Sequence, residues 1–184
     1  GMGEPLMNYN NVLKAIDKIT SEDGLGMSPK RIVVSTSGVP KMIKKMADDG
    51  VKFKLAVSLH SAIDGVRTSI MPFNKAFPLA DLREALEYWY AKTKNRITYE
   101  YVVWSGINDT KQDVEALIQF CKFAPSKVNL IEYNPIDDGE FQQADNEAIS
   151  MYVSMLERNN ITVTVRRSRG KDIDAACGQL ANKG

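Results

Sequence analysis

Apolar residues fall into two rhythms along this chain, and their alternation lays out an architecture. Short runs rich in Val, Ile, Tyr and Phe, bounded by glycine, proline or polar clusters, occur at 31–38 (RIVVSTSG), 52–60 (KFKLAVSLH), 96–106 (RITYEYVVWSG), 127–135 (KVNLIEYNP) and 161–167 (ITVTVRR). Runs of that length and composition predict strands. Between them apolar positions recur every three or four residues, most plainly at Leu79, Leu82, Leu86 and Trp89 or Tyr90 within 78–94. That spacing lines one face of a helix. The same period predicts helices from 11 to about 20, over 110–123 and over 144–159. The charged segment KMIKKMADDG (41–50) reads as a solvated helix face.

Strand alternating with helix predicts successive βαβ units around a parallel sheet, because two parallel strands must be joined by a crossover of about a dozen residues or more. No linker, low-complexity tract or repeat breaks the pattern, so the expected class is α/β, with 1–184 as a single domain. The strand bodies are apolar, but their ends are small or polar: STSG, SLH, NP and RRSR, together with GEP near the start of the chain. Ligands of parallel α/β proteins bind at the carboxyl ends of the strands. These tips are therefore expected to converge on one site.

Composition narrows the picture only a little. With 43% hydrophobic and 26% charged residues the chain lies within the globular range and outside the signature of disorder. Lysine and arginine total 24 against 23 acidic residues, a net charge of +1, which gives no global attraction to nucleic acid. Basic charge is local instead, at Arg166, Arg167, Arg169 and Lys171. Two cysteines do not make a disulfide framework, and a reducing, cytoplasmic setting is expected. No apolar run approaches the ~18 residues that span a bilayer, so no membrane partner is expected.

Several residues at the strand ends have chemistry to offer, and each also has a plainer use. Gly3, Glu4 and Pro5 combine a close-approach glycine, a carboxylate and a rigid turn. Ser35, Thr36 and Ser37 offer hydroxyls to a small polar ligand, or caps to the helix that follows. His60, the only histidine, follows Ser58 and Leu59 and suits a hydrogen-bond donor, an acid–base group or a structural strand-end residue. Asn134 precedes a proline that biases it toward an extended backbone, free to read a ligand or to make a turn. Cys121 sits on an amphipathic helix, where a buried inert thiol is expected. Cys177, among small residues and close in sequence to the arginines, suits a reactive thiolate.

Taken together and in order, GMGEPLMNYNNV, STSGVP, SLH, NLIEYNP and RRSRGKDIDAACGQL resemble the carboxyl-terminal part of the RlmN family. These are radical S-adenosylmethionine methyltransferases that modify carbon 2 of adenosine in 23S rRNA and tRNA. The resemblance implies a partial, TIM-like (β/α) radical-SAM barrel whose first strand or strands and cluster loop lie upstream. It implies that Cys177 is the catalytic methyl carrier: it takes a methyl from one S-adenosylmethionine, and a radical generated from a second abstracts hydrogen from that methyl before it adds to the adenine. Gly3, Glu4, Ser35, Ser58, Leu59, His60 and Asn134 would bind S-adenosylmethionine. The family's 4Fe-4S cluster is held by a CxxxCxxC loop that these residues lack, so no metal ligand is assigned here. The implied partners are 23S rRNA and tRNA, with a reductant such as flavodoxin for the full-length enzyme. The 184 residues alone are expected to be inactive and to self-associate through an exposed strand edge. Carbon-8 methylation of the same adenine, or a non-catalytic adenosine- or RNA-binding module, are the competing readings.

Overall fold

A computed structural model of the chain describes residues 3–133 and 141–166. Its five strands are β1 (Val33–Thr36), β2 (Lys54–Ser58), β3 (Ile97–Val102), β4 (Ser126–Ile131) and β5 (Thr162–Arg166), each inside a run that the sequence marks as a strand except β4, which starts one residue before its run. All adjacent pairs are parallel, and the spatial order is the chain order, β1-β2-β3-β4-β5. Every crossover thus steps one strand in the same direction. With right-handed crossovers that order stacks the helices on one face of the sheet, the arrangement of a (β/α) barrel arc, whereas a doubly wound sheet reverses order midway.

Among the described residues, helix α1 (Tyr9–Thr20) precedes β1, and five more fill the crossovers: α2 (Pro40–Asp48), α3 (Asp64–Ile70), α4 (Leu79–Thr93), α5 (Lys111–Cys121) and α6 (Asn146–Arg158). The 78–94 pattern becomes α4, which buries Leu79, Leu82, Leu86 and Trp89, while Tyr90 is only partly buried. Helix α5 starts at a capping box in which Thr110 and Asp113 satisfy each other's backbone N–H groups. Helix α3 has no counterpart among the sequence expectations. Its seven residues, DGVRTSI, carry no apolar stripe, and its buried residue is an arginine.

The sheet has two unlike faces because side chains alternate along each strand. Leu55, Val57, Tyr99, Tyr101, Val128 and Leu130 lie in the core, where each buried side chain of this size contributes roughly 1.5–3 kcal/mol. On the opposite face the register sets Ser58 beside Glu100, Glu100 beside Asn129 and Asn129 beside Thr164. A polar row across four strands is what the inside of a barrel needs if a ligand is to sit there. Among the described residues, no helix is long and apolar enough to cross a membrane.

Candidate functional site

A cleft of about 510 Å³ opens at the carboxyl ends of β1 and β2, against the 3-10 turn Pro5–Asn8. Gly3, Glu4, Ser35, Ser58 and His60 contribute to its polar wall, and Ile70, Met71, Trp104 and Phe141 to its apolar one. Five of the seven residues that the resemblance gives to the cofactor thus meet in one place, together with Pro5, Thr36 and Ser37. Leu59 does not line the cleft: it is fully buried in the core, its N–H donating to the Glu100 carbonyl at 3.0 Å. Asn134 and Cys177 lie outside the described residues.

Glu4 does not end a described strand; it caps the 3-10 turn instead. Its Oε1 accepts the Thr36 hydroxyl at 2.6 Å and the Leu6 N–H at 3.0 Å. Its Oε2 accepts the Ser37 N–H at 2.8 Å and the Ser37 hydroxyl at 2.7 Å. A carboxylate has about four lone-pair directions, so these four donors saturate it. Glu4 therefore fastens the amino-terminal turn to the tip of β1 and so places Gly3 and Pro5. The Thr36 and Ser37 hydroxyls are spent on this tie. The cap they might have given α2 is absent, since its N-cap, Val39, makes no side-chain bond. Gly38 turns the chain away at φ +102°, and a Cβ there would lie 2.8 Å from Cδ1 of Leu82.

His60 holds a left-handed backbone at φ 56°. Its Nδ1 accepts the Val102 N–H at 3.1 Å, its carbonyl accepts Asn108 Nδ2 at 2.6 Å, and its ring stands edge-on to Trp104 with centroids 5.6 Å apart. Burial, and secondarily the charge of Arg67, push its pKa down to about 4. The ring is thus neutral near pH 7, and with Nδ1 held as an acceptor its proton resides on Nε2. That leaves a donor at the cleft and speaks against a proton-exchanging acid–base group at this pH.

Arg67 is the residue that sequence reasoning missed. It is wholly buried behind the cleft, and nothing in DGVRTSI distinguishes it from a surface arginine. Cys121 is buried as expected, with its thiol pushed up to about 12 by burial.

The cleft suits a nucleoside-sized cofactor such as S-adenosylmethionine, since ligand pockets of roughly 300–1,000 Å³ are typical. Its wall also includes Trp104, whose buried indole N–H has no partner among the described residues. A 4Fe-4S cluster does not fit the residues present: among those described, no group of three or more His, Cys, Asp or Glu side chains could hold a metal.

No family model matches the chain. A solved radical SAM methyltransferase from Sphaerobacter thermophilus matches 97% of it with a TM-score of 0.93 at 38% identity, using 52% of its own length. A solved domain of pyruvate-formate lyase-activating enzyme from Bacteroides vulgatus matches 90% of the chain with a TM-score of 0.66, and at 17% identity it speaks for the fold alone. The fold is that of a radical SAM methyltransferase. Among curated proteins, the chain is 78% identical to the probable dual-specificity RNA methyltransferase RlmN of Christiangramia forsetii, 75% identical to that of Flavobacterium johnsoniae and 51% identical to that of Cytophaga hutchinsonii. Each match takes in all of this chain, which spans about half the length of these relatives (52%, 52% and 50%). Along its whole length the chain is thus similar to part of the RlmN-family proteins.

Proposed function

We propose that the protein containing these residues methylates carbon 2 of adenosine in 23S rRNA and tRNA, with S-adenosylmethionine held in the strand-end cleft and Cys177 as the methyl carrier. The carrying observation is convergence: Gly3, Glu4, Ser35, Ser58 and His60, residues the family resemblance would give to the cofactor, line one cleft. In this reading the hydroxyls of Ser35 and Ser58 and the Nε2–H of neutral His60 supply hydrogen bonds, and Asn134 completes the set. Leu59 acts through its backbone, which fixes the turn between Ser58 and His60. S-Adenosylmethionine, when bound, supplies the methyl group. The chain's own share is to bind and orient the cofactor, to present Cys177 and to keep water from the apolar wall of Trp104, Met71 and Phe141. Ligands for the iron–sulfur cluster come from outside these 184 residues, which are inactive by themselves.

The test is the mass of the Cys177 peptide from the full-length protein, expressed with iron–sulfur assembly machinery. One added methyl is expected on the thiol. An unmodified thiol in protein shown to hold its cluster refutes the carrier role. Fragmentation of the product nucleoside then separates carbon-2 from carbon-8 methylation.

A further inference from the structure

We propose that Arg67 is a positioning residue for the cleft: its guanidinium holds the carboxyl ends of β1 and β2 together where their backbone ladder stops. The last registered pair of that ladder is Thr36 with Val57. Beyond it the guanidinium takes over. Its Nη2 donates to the Ser37 carbonyl at 2.7 Å and the Ser58 carbonyl at 3.3 Å, and its Nε donates to the Leu59 carbonyl at 3.1 Å. One planar group thus spans both strand tips, and those tips carry Ser35, Ser58 and His60 into the cleft. The third nitrogen, Nη1, donates to Asn74 Oδ1 at 2.6 Å.

Asn74 makes this anchorage firm. Its Nδ2 donates to Asp64 Oδ1 at 3.0 Å and to the Thr68 hydroxyl at 2.9 Å, and the same Asp64 oxygen accepts the Leu79 N–H at 2.9 Å at the start of α4. The strand tips are therefore braced through Arg67 and Asn74 against two helices. Helix α3, which carries Arg67, ends in Ile70, and Ile70 and Met71 line the cleft. The brace and the wall are parts of one segment.

Burying an arginine is an expensive way to fill space. Asp64 does not bond the guanidinium directly, and its carboxylate serves Asn74 and Leu79 instead, so the buried cation faces four amide-type oxygens. A well-packed apolar side chain commonly matches or exceeds the stability of such buried charge. What it cannot do is donate in fixed directions to three carbonyls at once, and neither can lysine, a point charge without the planar fork.

The inference rests on the cleft being the cofactor site, and two readouts keep its failure apart from that of the cofactor reading. The full-length, cluster-loaded protein is compared with Arg67→Lys. The first readout is amide hydrogen exchange without ligand: exchange at 36–38 and 58–60 is expected to speed up about tenfold or more, while β4 is unchanged. The second is S-adenosylmethionine binding, where the dissociation constant and KM rise about tenfold and kcat at saturation changes less than twofold. Unchanged exchange at the tips overturns the proposal whatever the binding shows, and so does unchanged affinity in a variant whose tips have loosened. Wild-type protein that fails to bind the cofactor, while Arg67→Lys loosens the tips, keeps the brace and refutes the cofactor reading. If Arg67→Lys does not fold, Asn74→Ala, which frees Nη1 and leaves the fork in place, is judged by the same two readouts with about threefold effects.

Discussion

His60 ties the acid stability of the fold to one imidazole. Its folded pKa is about 4, against about 6.5 for an unhindered histidine. Protonation would place a second N–H opposite the Val102 N–H that Nδ1 now accepts, and would charge a ring packed against Trp104. The folded value lies below the unfolded one, so the unfolded chain takes up the proton first. The stabilising contribution is complete above about pH 6.5, declines as pH falls through 6.5 toward 4, and is gone below. A gap of about 2.5 pH units at about 1.4 kcal/mol each sets the full effect near 3.5 kcal/mol, of which about 3 kcal/mol is lost by pH 4. Because His60 is the chain's only histidine, the measurement is clean. His60→Asn suits the comparison: asparagine tolerates φ 56°, offers an oxygen to Val102 and does not titrate. Urea unfolding of both chains at pH 7.5, 6, 5 and 4 should show wild type losing about 3 kcal/mol relative to the variant, with carboxylate titrations cancelling in the difference. An imidazole proton resonance that titrates near 6.5, or a difference that does not vary with pH, would refute the reasoning.

Two further outcomes follow from local geometry. Gly38→Ala forces a side chain onto φ +102° with its Cβ 2.8 Å from Leu82 Cδ1, and a loss of roughly 1–3 kcal/mol is expected by urea unfolding; a change below about 0.5 kcal/mol would mean the turn relaxes at no cost. Cys121, buried and with its thiol pushed up to about 12, should resist a thiol reagent at pH 8 until denaturant is added. Peptide mapping that finds Cys121 labelled as quickly in native as in unfolded chain would contradict that.

Much of the fold was legible because strand bodies and helix faces are written in local composition. The errors lie at element ends and have specific causes. RIVVSTSG reads as a strand over 31–38, yet β1 covers only Val33–Thr36. Its last two residues are taken out of the ladder by Glu4, which recruits Ser37, and by the positive φ of Gly38. The partner that ends the strand lies 33 residues away, beyond any local signal. Helix α3 was invisible for a related reason. Its packing is polar, through Arg67 and Asn74, and a hydrophobic period cannot report hydrogen bonds made to carbonyls on other strands.

The site was legible to the extent that its residues are exceptions to the strand pattern. Serine, histidine and glycine stand out at the ends of apolar runs, and Ser35, Ser58, His60 and Gly3 do line the cleft. What each residue does there depends on its partners, and these come from other elements. Glu4 reads in sequence as a carboxylate beside a rigid turn and proves saturated; His60 reads as a hydrogen-bond donor, an acid–base group or a structural residue and proves neutral, with one nitrogen already engaged. Both differences point the same way. With the carboxylate that lines it tied up and its imidazole uncharged, the cleft offers fixed hydrogen-bond directions more than charge, so on the proposed cofactor role its affinity would follow from how firmly the strand tips are held. On that same proposal, the buried guanidinium of Arg67, which meets the cleft's polar wall only through backbone carbonyls, would act on binding through the strand tips it holds.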